Sequence, residues 1–203
     1  MKIIKPSVGI LNATRFPEAT IEDAARHSTR TRGTKKGDDF IRYLIERGHL
    51  TPLRFATAAF SVTADRGVID ELRTHQHADF VVESTRYCGY DKERFGGELE
   101  FIEPPFLNVN DRVNWYDICS SAEKQYMKMR ERGCKPELAR SVLPLSIASR
   151  CAIHANFQEW RHIIKMRLAK DAHPQIREIM AMILTEFRQR WPVIVEDIEV
   201  SQC

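Results

Sequence analysis

The 203-residue chain carries little that would commit it to a covalent or metal framework. Its five cysteines, Cys88, Cys119, Cys134, Cys151 and Cys203, are odd in number and form no CxxC pair. That argues against a disulfide scaffold or zinc knuckle and for a reducing compartment. None of the nine glycines falls into GxGxxG, or into GxxxxGK followed by Ser or Thr, so the usual dinucleotide and phosphate-loop fingerprints are absent. GxSxG and HExxH are missing too. No apolar run could span a bilayer, and no cationic start leads into an apolar segment. The expectation is a cytoplasmic protein (host cytoplasm if the chain is viral) with no membrane partner. Charge of one sign is also scarce. A net +3 suits an anionic small molecule as well as a polynucleotide. Any ligand site must therefore be assembled from scattered side chains.

What is present is an ordinary globular balance, 43% hydrophobic and 29% charged. The length suits a single domain over residues 1–203. Residues 1–10 hold a short apolar run that fits an edge strand. Thr20 is a cap candidate for a helix over 21–30, and residues 36–49 predict a second helix, with Gly48 as its stop. From Phe55 the period changes: Ala56, Ala58, Phe60 and Val62 alternate with smaller polar residues, which predicts a strand. Residues 67–77 read as helix, 98–105 as a strand ended by Pro104 and Pro105, and 109–132 as a long helix closed by Gly133. Residues 146–157 read as strand. Helices follow over 157–170 and 173–191, the latter with Ile176, Ile179, Met180, Ile183 and Phe187 at helical spacing. Helix and strand without regular alternation predict an α+β fold: a mixed core with a central β-sheet and flanking helices.

Two clusters could carry chemistry. The first is RTHQHADFVVESTRY, Arg73 to Tyr87. On a strand, His75 and His77 would point the same way and could share a metal; on a helix they would diverge. No third ligand stands at an obvious spacing, so no metal is expected. Arg73, Arg86, Ser84 and Thr85 suit a phosphate better, because arginine offers a planar fork of donors and a hydroxyl adds a short neutral one. The plain alternative is a solvated turn. The second cluster is Arg140, Asn156, Arg161, His162, Arg167 and His173. An arginine set among Ile163, Ile164 and Met166 is costly unless it meets an anion or a polar ligand, or snorkels to solvent.

In order, these segments resemble the flavin-dependent thymidylate synthases. The family signature is R-H-R, seven residues, then S-x-R. Here Thr74-His75-Gln76, seven residues, and Ser84-Thr85-Arg86 stand at that spacing, followed by Tyr87. Residues 24–28, AARHS, are similar to A-A-R-x-S. LIERGHLTP is similar to the helix end G-H-x-S/T-P, and ARSVLPL to A-R-x-x-L-P. NFQEWRHIIKMR and then AHPQIRE are similar to N-x-R-x-W-x-H-F-I-x-x-R and A-x-x-E-I-R. The resemblance runs over most of residues 20–180.

It implies a homotetramer with active sites at subunit interfaces. There the enzyme methylates dUMP using FAD, with NADPH and methylenetetrahydrofolate (a folate) as co-substrates. No cysteine attacks the pyrimidine in this family, and no cysteine here has an activating neighbourhood. The resemblance puts Glu71, Ser84, Thr85, Arg86, Arg140 and Arg167 on the substrate side, Arg167 being the catalytic cation that polarises the base. It puts Ser28, His49, Thr51, Thr74, His75, Gln76, His77, Asn156 and His162 on the cofactor side. A nucleic-acid partner is not expected.

The departures cluster. Thr74 and Gln76 replace the two signature arginines, Asp79 a serine, and Val82 a common glutamate or glutamine. Arg54-Phe55 stands where E-H is usual, and Gln158 replaces an arginine. Arg54 and Arg161 are candidates to restore the lost charge. Because these positions touch flavin, sugar and base, two further readings stand beside thymidylate synthesis. One is hydroxymethylation of dUMP, or methylation of dCMP or UMP. The other is a non-catalytic nucleotide-binding protein.

Overall fold

A computed structural model describes residues 1–28 and 34–199. It has the anticipated mixture of helices and sheet, in two compact units.

The first unit comprises residues 1–7, 63–74 and 81–151. Strand β1 (Lys2–Ile4) pairs in parallel with β5 (Glu100–Ile102), Ile3 opposite Phe101. Helix α3 (Arg66–Leu72) begins where Asp65 Oδ1 accepts from the Val68 amide at 2.7 Å. Helix α4 (Val109–Glu131) is capped by Asn108, which accepts from Asp111 N at 2.9 Å. It stops at Gly133, whose φ of +82° a β-carbon would strain. The short α5 (Pro136–Ala139) follows. Tyr90, Leu99, Phe101, Cys119, Tyr126, Ala139 and Ile147 form this unit's core. Helix α4 contributes Cys119 and Tyr126 to it, and Trp115, Met127 and Met129 pack against it. From 109 to 118 every residue except the half-buried Trp115 is exposed, Val109, Val113, Tyr116 and Ile118 included.

The second unit comprises residues 8–62, 75–80 and 152–203. Helices α1 (Pro17–Arg26), α2 (Gly37–Glu46), α6 (Phe157–Arg167), α7 (Pro174–Arg190) and α8 (Pro192–Val195) belong to it. Of the sheet ordered β2 (Ser7–Ala13), β3 (Thr57–Asp65), β6 (Ala148–Asn156) and β4 (Asp79–Val82), residues 8–13, 57–62, 152–156 and 79–80 belong to it. Ala58, Phe60, Val62 and Ala64 are the buried face of β3, as the alternation requires. Phe60 meets Trp160 edge-on at 5.1 Å, and Phe157, Phe187 and Trp191 complete an aromatic core. Trp160 Nε1 donates to the Ala58 carbonyl at 2.9 Å, which ties α6 to the sheet. Gln175, the second residue of α7, is fully buried, and neither amide atom has a hydrogen-bond partner among the described residues.

Several boundaries differ from expectation. The run over 1–10 splits into β1 and β2 around Lys5-Pro6, because proline has no N–H to give a ladder. Helix α1 starts at Pro17, a residue preorganised for the first turn, and Thr20 Oγ1 donates back to Phe16 O at 2.9 Å instead of capping. Thr29 and Arg30 of the expected helix lie outside the described residues. Helix α3 ends at Leu72, so residues 73–78 form a turn that is neither helix nor strand. Strand β4 and helices α5 and α8 have four residues each, too few to print a period.

Candidate functional site

The candidate residues fall into a set in each unit. In the first unit, Arg140 follows α5 and heads a short 3₁₀ turn, Arg140–Val142. Its guanidinium donates to Thr85 Oγ1 at 3.0 Å. Ser84 Oγ accepts from the Arg86 amide at 3.3 Å, which closes the tight turn that presents all three residues. Arg86 is exposed, 3.9 Å from Glu137 and 5.6 Å from the Tyr87 ring centre. Thr85 thus meets Arg140, and the turn that carries Ser84 presents Arg86 beside Glu137; two cations and two hydroxyls are donors of the kind a phosphate takes. Glu71 accepts from Thr74 through its carbonyl, at 2.8 Å from Oγ1. Thr74 is therefore engaged in ending α3.

In the second unit, Ser28, His49 and Thr51 line one cleft of about 850 Å³. Its walls also carry Arg26, Lys35, Phe40, Tyr43 and Phe55. The Arg26 guanidinium lies 4.5 Å from the Phe40 ring centre, and Lys35 Nζ lies 4.5 Å from that of Tyr43. Glu22, held below the usual carboxylate range by the Gly37 amide and then by Arg26, fixes the guanidinium at 2.8 Å. Sequence reading placed residues 36–49 in a helix but did not find this cleft, because its walls come from α1, α2 and the 51–55 turn. That 3₁₀ turn, Thr51–Phe55, also packs on α6.

Helix α6 carries the other cofactor-side residues and Arg167. Asn156 caps it, accepting from the Glu159 amide at 2.9 Å. His75 is 7% exposed while Thr74, Gln76 and His77 are exposed, so of that run His75 alone turns inward. His75 Nε2 accepts from Arg167 Nε at 2.9 Å, its ring meets His162 edge-on at 5.9 Å, and Glu159 approaches its Nδ1 at 3.9 Å. Burial first, then the charges of Arg167 and His162, pull the His75 pKa down to about 4. The imidazole is therefore neutral at pH 7. Since an arginine Nε always donates, Nε2 offers the lone pair and Nδ1 carries the proton.

His75, Glu159 and His162 have ligand atoms within 4.8 Å of one another, the spacing of a metal set. This is not the His75–His77 pair the sequence suggested. The Arg167 contact argues against an ion here, because it leaves His75 Nδ1 protonated and without a lone pair. Glu159 went unnoticed in the sequence, although N-x-x-E at 156–159 is a capping-box signature that places it in the first turn of a helix.

Two altered positions meet: Arg54 Nε donates to Gln158 Oε1 at 2.8 Å. A cation is thus present beside position 158, supplied from position 54. Arg161 corrects an expectation. It is 4% exposed, bonded to Asp197 at 2.7 and 2.8 Å and to the Ile194 carbonyl, and it drives the Asp197 carboxyl far below its usual range. It fastens the segment after α8 to α6 and is not available to a ligand. His173 caps α7, accepting from the Gln175 amide at 3.3 Å.

Residues 9–193 match the thymidylate synthase complementing protein family. The chain belongs to that family. Among curated relatives, it is 31% identical to the "probable flavin-dependent thymidylate synthase" of Mycobacterium phage L5, over 81% of this chain and 72% of the relative. It is 27% identical to the "flavin-dependent thymidylate synthase" of Corynebacterium diphtheriae, covering 94% and 82%. With that of Haloarcula marismortui it shares 27% identity, covering 87% and 88%. Among the described residues no helix is long and apolar enough to cross a membrane.

Proposed function

We propose that this chain is a flavin-dependent thymidylate synthase that methylates C5 of dUMP. The observation that carries the reading is Arg167: a half-buried cation at the end of α6, held through Nε by a neutral histidine. Such a cation suits a carbonyl of the pyrimidine and stabilises charge on the ring as C5 becomes nucleophilic. Ser84, Thr85, Arg86 and Arg140 supply the donors for the nucleotide phosphate. The buried thiol of Cys151, pushed up to about 11 by burial, is poorly suited to nucleophilic attack.

The 850 Å³ cleft fits a flavin dinucleotide in chemistry and scale. The exposed Phe55 would offer apolar contact to a ring system, Arg26 and Lys35, which lie over Phe40 and Tyr43, would meet a diphosphate, and Ser28 and Thr51 would add hydroxyl donors. FAD, when bound and reduced by NADPH, supplies the hydride; methylenetetrahydrofolate supplies the carbon. The chain's own residues bind and orient, and Arg167 holds charge on the base. A homotetramer would cover the exposed apolar half of α4, and sedimentation of the purified chain tests that assembly.

The deciding experiment incubates the protein with FAD, NADPH, methylenetetrahydrofolate and each of dUMP, dCMP and UMP, then reads product masses. A methyl gain on dUMP supports the reading. A gain of the methyl plus one oxygen means hydroxymethylation, and a gain on another nucleotide moves the substrate. A colourless protein that takes up no added FAD and turns nothing over overturns the enzyme reading.

A further inference from the structure

Glu159 is a carboxylate about nine-tenths buried in the first turn of α6. A buried charge is costly unless it is answered. In a capping box this side chain would turn back to the helix N-terminus; here a carboxylate oxygen lies 3.9 Å from His75 Nδ1. At that distance the contact is electrostatic rather than a direct hydrogen bond, and it favours the tautomer whose proton faces the acid. On the other side of the ring, Nε2 receives Arg167 Nε at 2.9 Å. The ring has little freedom to turn over. His162 stands edge-on to it at 80°, and the Ala78 amide donates to the His75 carbonyl at 3.4 Å, which closes the turn behind it. The acid thus stands on the Nδ1 side of the imidazole and the guanidinium on the Nε2 side.

We propose that Glu159 is a positioning residue: its carboxylate fixes the proton of His75 on Nδ1, and the unprotonated Nε2 then aims the Arg167 guanidinium at the ligand. The first half stands on this cluster alone; the second rests on the reading in which Arg167 meets a pyrimidine nucleotide. The logic is that of an acid orienting a histidine in a triad, with a cation in place of a nucleophile. The opposite tautomer would set an N–H of His75 against an N–H of Arg167, and the guanidinium would swing away.

The test uses the full chain carrying ¹⁵N-labelled histidine, and reads the two ring nitrogens of His75 by NMR without nucleotide. The wild type should show a protonated Nδ1 and a bare Nε2. Glu159→Ala should give a mixture of tautomers, and Glu159→Gln should keep the Nδ1-protonated form as the larger share, because its amide oxygen still turns a partial negative charge toward Nδ1. Titration with dUMP alone should then show about tenfold weaker binding for Glu159→Ala and rescue by Glu159→Gln. A wild-type Nε2–H overturns the proposal whether or not a variant folds. So do an unchanged tautomer and affinity in Glu159→Ala, a failure of glutamine to rescue, or a shift of His75 and His162 together on adding Zn²⁺, which would make the cluster a metal site. If the tautomers behave as stated but the wild type binds no dUMP, the functional reading fails and the Glu159–His75 relation stands.

Discussion

The phosphate-type set and the His75 cluster solve opposite problems. In the first, Arg86 and Arg140 are exposed, Thr85 takes one arginine, and the ion pair to Glu137 spans 3.9 Å with both partners open to water. Such contacts contribute little on their own, so both cations can turn to an arriving anion at small cost. In the second, a buried imidazole fixes its arginine before any ligand arrives. On the proposed function the difference suits separate tasks: adaptable cations would capture charge, while a preorganised cation would serve the charge that develops during reaction.

That contrast can be broken, and Arg167→Ala should break it most. Turnover should fall about a thousandfold, or ~4 kcal/mol in barrier, with the fold intact by circular dichroism. Activity close to wild type would end the assignment. Arg161, six residues earlier on the same helix, should behave the opposite way. Arg161→Ala takes the donor from the Ile194 carbonyl and leaves Asp197 with Lys165 alone, so urea unfolding should show a loss of about 3 kcal/mol from the charge-assisted bonds removed. Stability equal to wild type would show that this arginine does not fasten the end of the chain.

The His75 cluster should also leave a mark on the pH dependence of stability. The folded pKa of about 4 lies below the ordinary 6.5, so between these values the unfolded chain holds a proton that the folded one refuses. Stability should therefore fall as pH drops through that window, by about 3 kcal/mol from this residue. His75→Gln should flatten that part of the curve, and parallel curves for the two proteins would refute the shift. The smallest effect belongs to the adaptable set. Arg86→Ala should weaken dUMP binding by about 2 kcal/mol, roughly thirtyfold, with turnover at saturation little changed. A changed rate at unchanged affinity would place Arg86 with Arg167 instead.

Sequence reading found what repeats or what is spaced. The alternation of Phe60 and Val62, the stripe of Ile176 to Phe187 and the stop at Gly133 all print local periods, and the elements appear where those periods lie. The phosphate-type set was legible because Ser84, Thr85 and Arg86 are adjacent in the chain. What remained hidden depends on distant segments meeting. Nothing local says that His75 turns inward while Gln76 and His77 do not, that Arg54 reaches Gln158 across 104 positions, or that Arg161 is taken up by Asp197. Glu159 was written in a capping signature, but its partner was not.

Gln175 has a consequence of a different kind. Its amide is buried at the start of α7 with neither heavy atom bonded among the described residues. A polar group withdrawn from water without a partner costs about 1–3 kcal/mol. Replacing it by an apolar side chain of similar length, Gln175→Met, should therefore raise the melting temperature, by about 3 °C for each kcal/mol recovered. The second residue of α7 is thus a point where heat tolerance could be gained without touching any group assigned to the chemistry.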